Sequence, residues 1–212
     1  MQKKAFIYDF DNTVFPVLSI GEKLFSPLIN LIEEDGGYEG DLDAFKDAVM
    51  RRPFQGIARD FKFTQQLIDA SVELLKSLTY NGPLTPFEDY KEIKRIKGDR
   101  FLVTTGFYKL QKSKIDASGV RNDFRKVYII DPATTTKVKK DIFKEILKEN
   151  TYNPHEVMVI GDDPDSEINA GNELHIETVL YDKDHRFNKT KATYKIDNYK
   201  QLVEIVAQLA NQ

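Results

Sequence analysis

The sequence predicts an α/β protein, a doubly wound parallel sheet that carries a small all-helical insertion. Three observations lead there. Short apolar runs of strand length recur along the chain with amphipathic helical stretches between them, the rhythm of successive β-α-β units. That rhythm breaks once, between the first and second runs, where about ninety residues intervene, far more than normally join a strand to its helix. Finally, acidic and hydroxyl residues stand at the ends of several runs, where sheets of this kind open into a ligand crevice.

Taken in order, the first run is Ala5-Phe6-Ile7-Tyr8. Later ones cover Phe101 to Thr104, Val127 to Ile130, Val157 to Ile160 and Thr178 to Leu180, with a short further strand at Tyr194 to Ile196. Helices are expected from Phe107 to Ala117, Lys137 to Glu149, Pro164 to Glu173 and Tyr199 to Leu209, stacked on both sheet faces. Inside the insertion, Leu24, Leu28, Leu31 and Ile32 recur at helical spacing. So do Leu42, Phe45 and Val49, then Leu67, Ser71, Leu74, Leu75 and Leu78. Asp35-Gly36-Gly37 separates the first two of these helices, and Asn81-Gly82-Pro83 marks the return to the sheet. The expected organisation is a Rossmann-like core of residues 1–15 and 84–212 around a helical module of residues 16–83.

Composition narrows the function classes. With 31 basic and 34 acidic side chains the formal net charge is −3, which offers no broad attraction for nucleic acid or an anionic membrane. Small ligands are the expected partners. Zero cysteines exclude disulfides, thiolate metal sites and cysteine nucleophiles. The charged start Met1-Gln2-Lys3-Lys4 precedes a run too short for a signal peptide, so a cytoplasmic protein is expected, a monomer or weak dimer.

Four elements, distant in sequence, carry chemistry together. Asp9 and Asp11 follow the first strand; one carboxylate can attack phosphorus and the other can protonate the leaving oxygen and then activate water. The same residues also suit a strand-ending turn. Thr104-Thr105-Gly106 ends the second strand with a hydroxyl and free amides able to hold phosphate oxygens, or as a plain strand-to-helix turn. Lys137, ahead of Ile142-Phe143, can neutralise phosphate, or sit in water as its neighbours Lys139, Lys140 and Lys144 are expected to do. Gly161-Asp162-Asp163-Pro164-Asp165-Ser166-Glu167 adds an oxygen-only cluster suited to Mg²⁺, in residues that also favour a helix start.

In their order and spacing these motifs resemble the haloacid dehalogenase superfamily of aspartyl-phosphate phosphatases. The resemblance implies that Asp9 is the nucleophile and a Mg²⁺ ligand, and that Asp11 is the acid/base whose carbonyl also meets the metal. Thr104 and Lys137 would hold the transferring phosphoryl group, with Asn12, Thr105 and Gly106 completing the phosphate-binding set. Asp162 would be a direct metal ligand and Glu167 the second acidic position. Asp11 itself points to phosphate chemistry, because the dehalogenases of the superfamily lack it. The fourth motif departs from the common G-D-S-x-x-N-D, since Asp163, Ser166 and Glu167 replace the serine, asparagine and final aspartate, so either Glu167 or Asp163 can fill the acidic role. The proline that often follows the lysine is Val138, which leaves Lys140 as a second candidate.

The helical insertion matches the superfamily's cap, which closes over the site and supplies substrate contacts. Within it, Gln55-Gly56-Ile57-Ala58-Arg59 resembles the glycine-x-x-arginine loop that capped sugar-phosphate mutases point at substrate, making Gly56 and Arg59 candidate substrate residues. Asp11-Asn12-Thr13-Val14-Phe15-Pro16 resembles the start of the pyrimidine 5′-nucleotidase-like branch. The expected function is Mg²⁺-dependent hydrolysis of a small phosphate monoester, with a phosphomutase or a non-catalytic binding protein on the same scaffold as alternatives. His155, His175 and His185 fit no metal-ligand spacing, the lysines from Lys109 to Lys114 read as a solvated helix face, and the Tyr and Phe cluster of the insertion reads as core.

Overall fold

The computed structural model describes residues 2–211. Six parallel strands form one sheet in the order β3-β2-β1-β4-β5-β6. They are β1 (Ala5–Tyr8), β2 (Asp99–Thr105), β3 (Lys126–Ile130), β4 (Val157–Gly161), β5 (Glu177–Tyr181) and β6 (Tyr194–Ile196). All four residues of β1 are buried, as a central strand covered on both faces requires. Strand order reverses between β1 and β4, so the switch point, and the crevice it opens, lies between their carboxyl ends.

The β1–β2 connection contains four helices: α1 (Gly21–Asp35), α2 (Leu42–Val49), α3 (Phe54–Asp60) and α4 (Gln65–Ser77). Gly36 ends α1 in the left-handed conformation, with its N–H donating to the Ile32 carbonyl. Asp41 and Thr64 cap α2 and α4 by accepting from the amides of Ala44 and Leu67. Phe45, Phe54 and Phe63 pack together inside this group, so its aromatic cluster is core. The stretch from Gln55 to Arg59, which resembles a loop in sequence, lies inside α3, because Phe54, Ile57 and Ala58 share a buried face.

The remaining helices are α5 (Tyr108–Ser118), α6 (Lys139–Asn150), α7 (Asn169–Asn172) and α8 (Tyr199–Ala210). Phe6, Tyr8, Leu102, Met158 and Val179 join one apolar cluster with α5, α8 and the inserted helices. Alternate strand residues Ala5, Ile7, Phe101, Val103 and Val159 join a second cluster with α6 and α7. The sheet is thus covered on both faces, as side-chain alternation along buried strands demands. Three helices begin later than expected, α5 by one residue, at Tyr108. α6 starts at Lys139 instead of Lys137, and the stretch after β4 opens with a π-helical turn, Pro164–Ile168, before α7. No helix among the described residues is long and apolar enough to cross a membrane.

Candidate active site

Parallel pairing sets the site. Tyr8 is in register with both Leu102 and Ile160, and the Asp9 amide donates to the Ile160 carbonyl at 2.9 Å. Asp9, Thr104 and Asp162 therefore leave three adjacent strands at one end of the sheet. Asp9, Asp11, Thr104, Thr105, Gly106, Asp162, Asp163 and Glu167 all line one cleft, closed on the far side by Phe25, Met50, Phe54 and Leu75 of the inserted segment.

The first motif is a tight loop. The amides of Val14 and Phe15 donate to the Phe10 carbonyl, and Asn12 donates to Phe15. Asn12 takes φ of +56°, a left-handed conformation that Asn tolerates better than most residues. Its side chain accepts from the Val17 amide at 3.1 Å and donates to the Met50 carbonyl at 3.2 Å. Asn12, a candidate phosphate-binding residue, lines the cleft, and its side-chain amide ties this loop to the α2–α3 turn.

The lysine expectation is corrected. Lys137 lies outside the cleft, about half exposed, and pairs with Glu145 at 2.6 Å. Lys140 pairs with Glu173. The cation at the site is Lys139, whose ammonium donates to Asp9 Oδ1 at 2.5 Å and to Glu167 Oε1. Helical phase explains the choice. Lys139 is the first residue of α6, three and four positions before buried Ile142 and Phe143, so it lies on the face that meets the sheet. The Ile142, Phe143, Ile146 stripe, extended back one turn, is the sequence signal that marks Lys139.

Of the two candidates for the second acidic position, Glu167 is the one that meets the Lys139 ammonium. The π-helical turn carries it back beneath β4, where Oε2 accepts from the Asp163 amide at 3.2 Å and Oε1 from Ser166 Oγ at 2.9 Å. Gly161 makes room: a Cβ there would lie 2.6 Å from Glu167 Cγ. Asp163 turns to the helix start and accepts from the Asp165 amide. Asp162 is buried and accepts from Arg186 Nη2 at 2.8 Å. Burial pushes the Asp162 carboxyl up to about 7, with the Glu167 charge adding to the rise and Arg186 and Lys139 opposing it. Burial likewise raises Asp9 well above the carboxylate range, Lys139 opposes, and Glu167 and Asp162 add to the rise. Lys139 keeps its proton, because Asp9 and Glu167 outweigh its desolvation.

Two further residues, unforeseen from sequence, complete the site. Lys109 and Lys112 of α5 are solvated, as expected, but Lys114 is buried. Its ammonium meets Asp11 Oδ1 at 2.6 Å and Oδ2 at 2.7 Å. Gln111, one turn earlier and also buried, donates from Nε2 to Asp11 Oδ2 at 3.0 Å and to Thr104 Oγ1 at 2.6 Å. Gly106 permits this, since a Cβ there would lie 2.9 Å from Gln111 Cγ. The other cap expectation is also corrected. Arg59 is 78% exposed against Asp60 and, like Gly56, is absent from the cleft lining; Arg51 and Arg52 of the α2–α3 turn stand there instead.

A divalent cation fits this donor set. No three His, Cys, Asp or Glu side chains among the described residues form a metal cage, but Mg²⁺ needs only one or two carboxylates beside carbonyl, water and phosphate oxygens. Asp9, Asp162 and Glu167 are three buried carboxyl groups facing two cations, Lys139 and the less buried Arg186, so a divalent cation bound there would favour the ionised forms that burial and mutual proximity disfavour in Asp9 and Asp162. His155, His175 and His185 are exposed and take no part.

A Rossmann-like sheet with strand-end aspartates, a buried lysine and a helical insertion after the first strand defines an α/β protein with an acidic cleft at its topological switch point. The haloacid dehalogenase-like hydrolase model matches residues 3–175, and the chain belongs to that family. Pyrimidine 5′-nucleotidase PynA of Streptococcus pneumoniae (strain ATCC BAA-255 / R6) is 27% identical over 109 residues, 50% of this chain and 46% of that protein. The match therefore spans about half the relative's length. A haloacid dehalogenase-like hydrolase from Streptococcus pneumoniae superposes with a TM-score of 0.75 at 14% identity, covering 96% of this chain and 98% of that one. A HAD phosphatase from Thermococcus onnurineus gives 0.61 at 16% identity, with 96% and 97% covered. YfnB of Bacillus subtilis, in a magnesium-bound crystal, gives 0.65 at 16% identity, with 97% and 99% covered. At these identities the solved structures share the fold.

Proposed function

We propose that this hydrolase is a Mg²⁺-dependent phosphatase that cleaves a small phosphate monoester through an aspartyl-phosphate, with Asp9 as nucleophile and Asp11 as acid/base. The observation that carries the reading is the Asp9 carboxylate, buried at the β1 end, held by Lys139 at 2.5 Å, with Asp11 half-open to the same cleft. Asp9 attacks phosphorus in line while Asp11 protonates the departing ester oxygen. Lys139 neutralises charge on Asp9 and on the equatorial phosphoryl oxygens, and Thr104 and the Gly106 region receive those oxygens. Asp9, Asp162 and the Asp11 carbonyl would hold Mg²⁺, which when bound supplies Lewis-acid stabilisation of phosphoryl charge. Water activated by Asp11 then releases phosphate.

Residues 16–83 act in this reading as the cap. Phe25, Met50, Phe54 and Leu75 offer an apolar wall and Arg51 and Arg52 polar contacts above it, which suits an uncharged planar group attached to the ester. Together with the relation to a pyrimidine 5′-nucleotidase, this favours nucleoside monophosphates among small esters. The phosphomutase alternative loses its motive, because the segment that suggested it is helical and Arg59 lies outside the cleft.

A phosphate-release screen over nucleoside monophosphates, sugar phosphates and small acid phosphates, with and without Mg²⁺, tests the reading. Release that requires Mg²⁺ and is greatest for a nucleoside monophosphate is expected; phosphoryl return to a bound intermediate without free phosphate would overturn it. Metal binding has its own readout. Mg²⁺ at about 100 times its Kd is expected to stabilise the fold by ~2.7 kcal/mol, raising Tm by roughly 5–10 °C, with reversal by chelator. Asp162→Asn is expected to remove most of that shift, and an undiminished shift would place the metal elsewhere.

A further inference from the structure

Helix α5 sends two buried polar side chains into the site, and neither belongs to the four sequence motifs. Lys114 is 3% exposed at its side chain, and its one ion-pair partner among the described residues is Asp11. The ammonium also lies over the Phe10 and Phe15 rings, at 5.7 and 5.4 Å from their centroids, so two aromatic faces help hold it in place. A buried cation arranged in this way sets the orientation of the carboxylate it meets.

Counting acceptor positions shows what that orientation is. A carboxylate has about four lone-pair sites. On Asp11, Oδ2 accepts from both Lys114 and Gln111, while Oδ1 accepts from Lys114 alone. One site therefore stays open, on Oδ1. Gln111 must present its amide nitrogen to Asp11, since Oδ2 already accepts from the Lys114 ammonium and, with any proton carried on Oδ1, acts only as an acceptor. The second hydrogen of that nitrogen goes to Thr104 Oγ1, which makes the hydroxyl an acceptor there and leaves its O–H to donate to another group.

Building on the phosphatase reading, we propose that Lys114 and Gln111 are positioning residues, which confine proton exchange to Asp11 Oδ1 and turn the Thr104 hydroxyl into a donor toward the phosphoryl group. In the first step the bond from Asp9 to phosphorus forms as the ester P–O bond breaks, and the Oδ1 proton passes to the leaving oxygen. In the second, water bonds to phosphorus, the acyl-phosphate P–O bond breaks, and the water's proton returns to Oδ1. Lys114 and Gln111 exchange no proton themselves.

Leaving-group dependence tests this. p-Nitrophenolate departs without a proton, whereas the 5′-oxygen of uridine 5′-monophosphate needs one, and kcat/KM reports the steps through formation of the intermediate. Lys114→Met, which keeps the apolar stem, is expected to lower kcat/KM on uridine 5′-monophosphate by ~30-fold or more and on p-nitrophenyl phosphate by less than ~3-fold. Gln111→Met should show the same bias in a second, independent variant, and Asp11→Asn should show it most strongly. Equal losses on the two esters in folded Lys114→Met and Gln111→Met, or wild-type values on both, overturn the positioning role. Failure of the underlying reading looks different: wild-type protein would release no Mg²⁺-dependent phosphate, or Asp11→Asn would lack the bias.

Discussion

Asp9→Asn is expected to lower turnover by ~10⁴-fold or more while leaving the protein folded. The substitution keeps the shape of the side chain and removes the anionic oxygen that attacks phosphorus. Stability is expected to hold or to rise slightly, because burial, joined by the neighbouring charges of Glu167 and Asp162, pushes the Asp9 carboxyl up and makes its ionised form costly in the fold. Lys139 keeps Glu167 as a partner, so no unpaired buried cation is created. Single-turnover phosphate release and a thermal melt check both halves. Turnover above about a hundredth of wild type would place the nucleophile elsewhere.

Lys139→Met against Lys137→Met separates the two lysines. Lys139 is buried between Asp9 and Glu167, and breaking a buried pair typically costs ~3–5 kcal/mol, because the remaining charges lose their partner. Lys139→Met is therefore expected to lower Tm by about 10 °C and turnover by ~10²-fold or more. Lys137→Met removes a half-exposed pair with Glu145, worth at most ~1 kcal/mol, and should leave turnover within about twofold. A larger loss in Lys137→Met than in Lys139→Met would reverse the assignment made from the geometry.

Much of the fold could be read locally. The β1 run and the short strand Tyr194–Ile196 end where their apolar residues end, and α8 begins one residue after the Asn198 cap. Asp9, Asp11, Thr104, Asp162 and Glu167 were legible because each sits at a strand end or the first turn beyond it, and parallel pairing then brings those ends together. Elsewhere local pattern pointed the wrong way. The stretch from Phe54 to Asp60 holds a glycine and follows a proline, yet Phe54, Ile57 and Ala58 bury one side of it as α3.

The lysines show why part of the site was not legible. Four lysines lie between Lys137 and Lys144, and three between Lys109 and Lys114, so composition alone favours solvated faces in both places. Whether a given one turns inward depends on where its helix starts and on what meets it. Lys139 reaches Asp9 across 130 residues, and Lys114 reaches Asp11 across 103. Leu110 and Ile115 flank Gln111 and Lys114 on one buried stripe, a position that polar groups tolerate only when Asp11 and Thr104 stand opposite.

By itself the sequence determined the alternation of strands and helices, the helical insertion and the carboxylates of the strand ends, because these follow from periodicity and from residues adjacent in the chain. The tertiary structure decided which cations serve those carboxylates, Lys139 and Lys114, and it left Arg59 outside the cleft that its motif suggested it would face. The physical reason is the cost of burying charge: a lysine is stable inside only where folding delivers its counter-charge, and that delivery comes from distant strands.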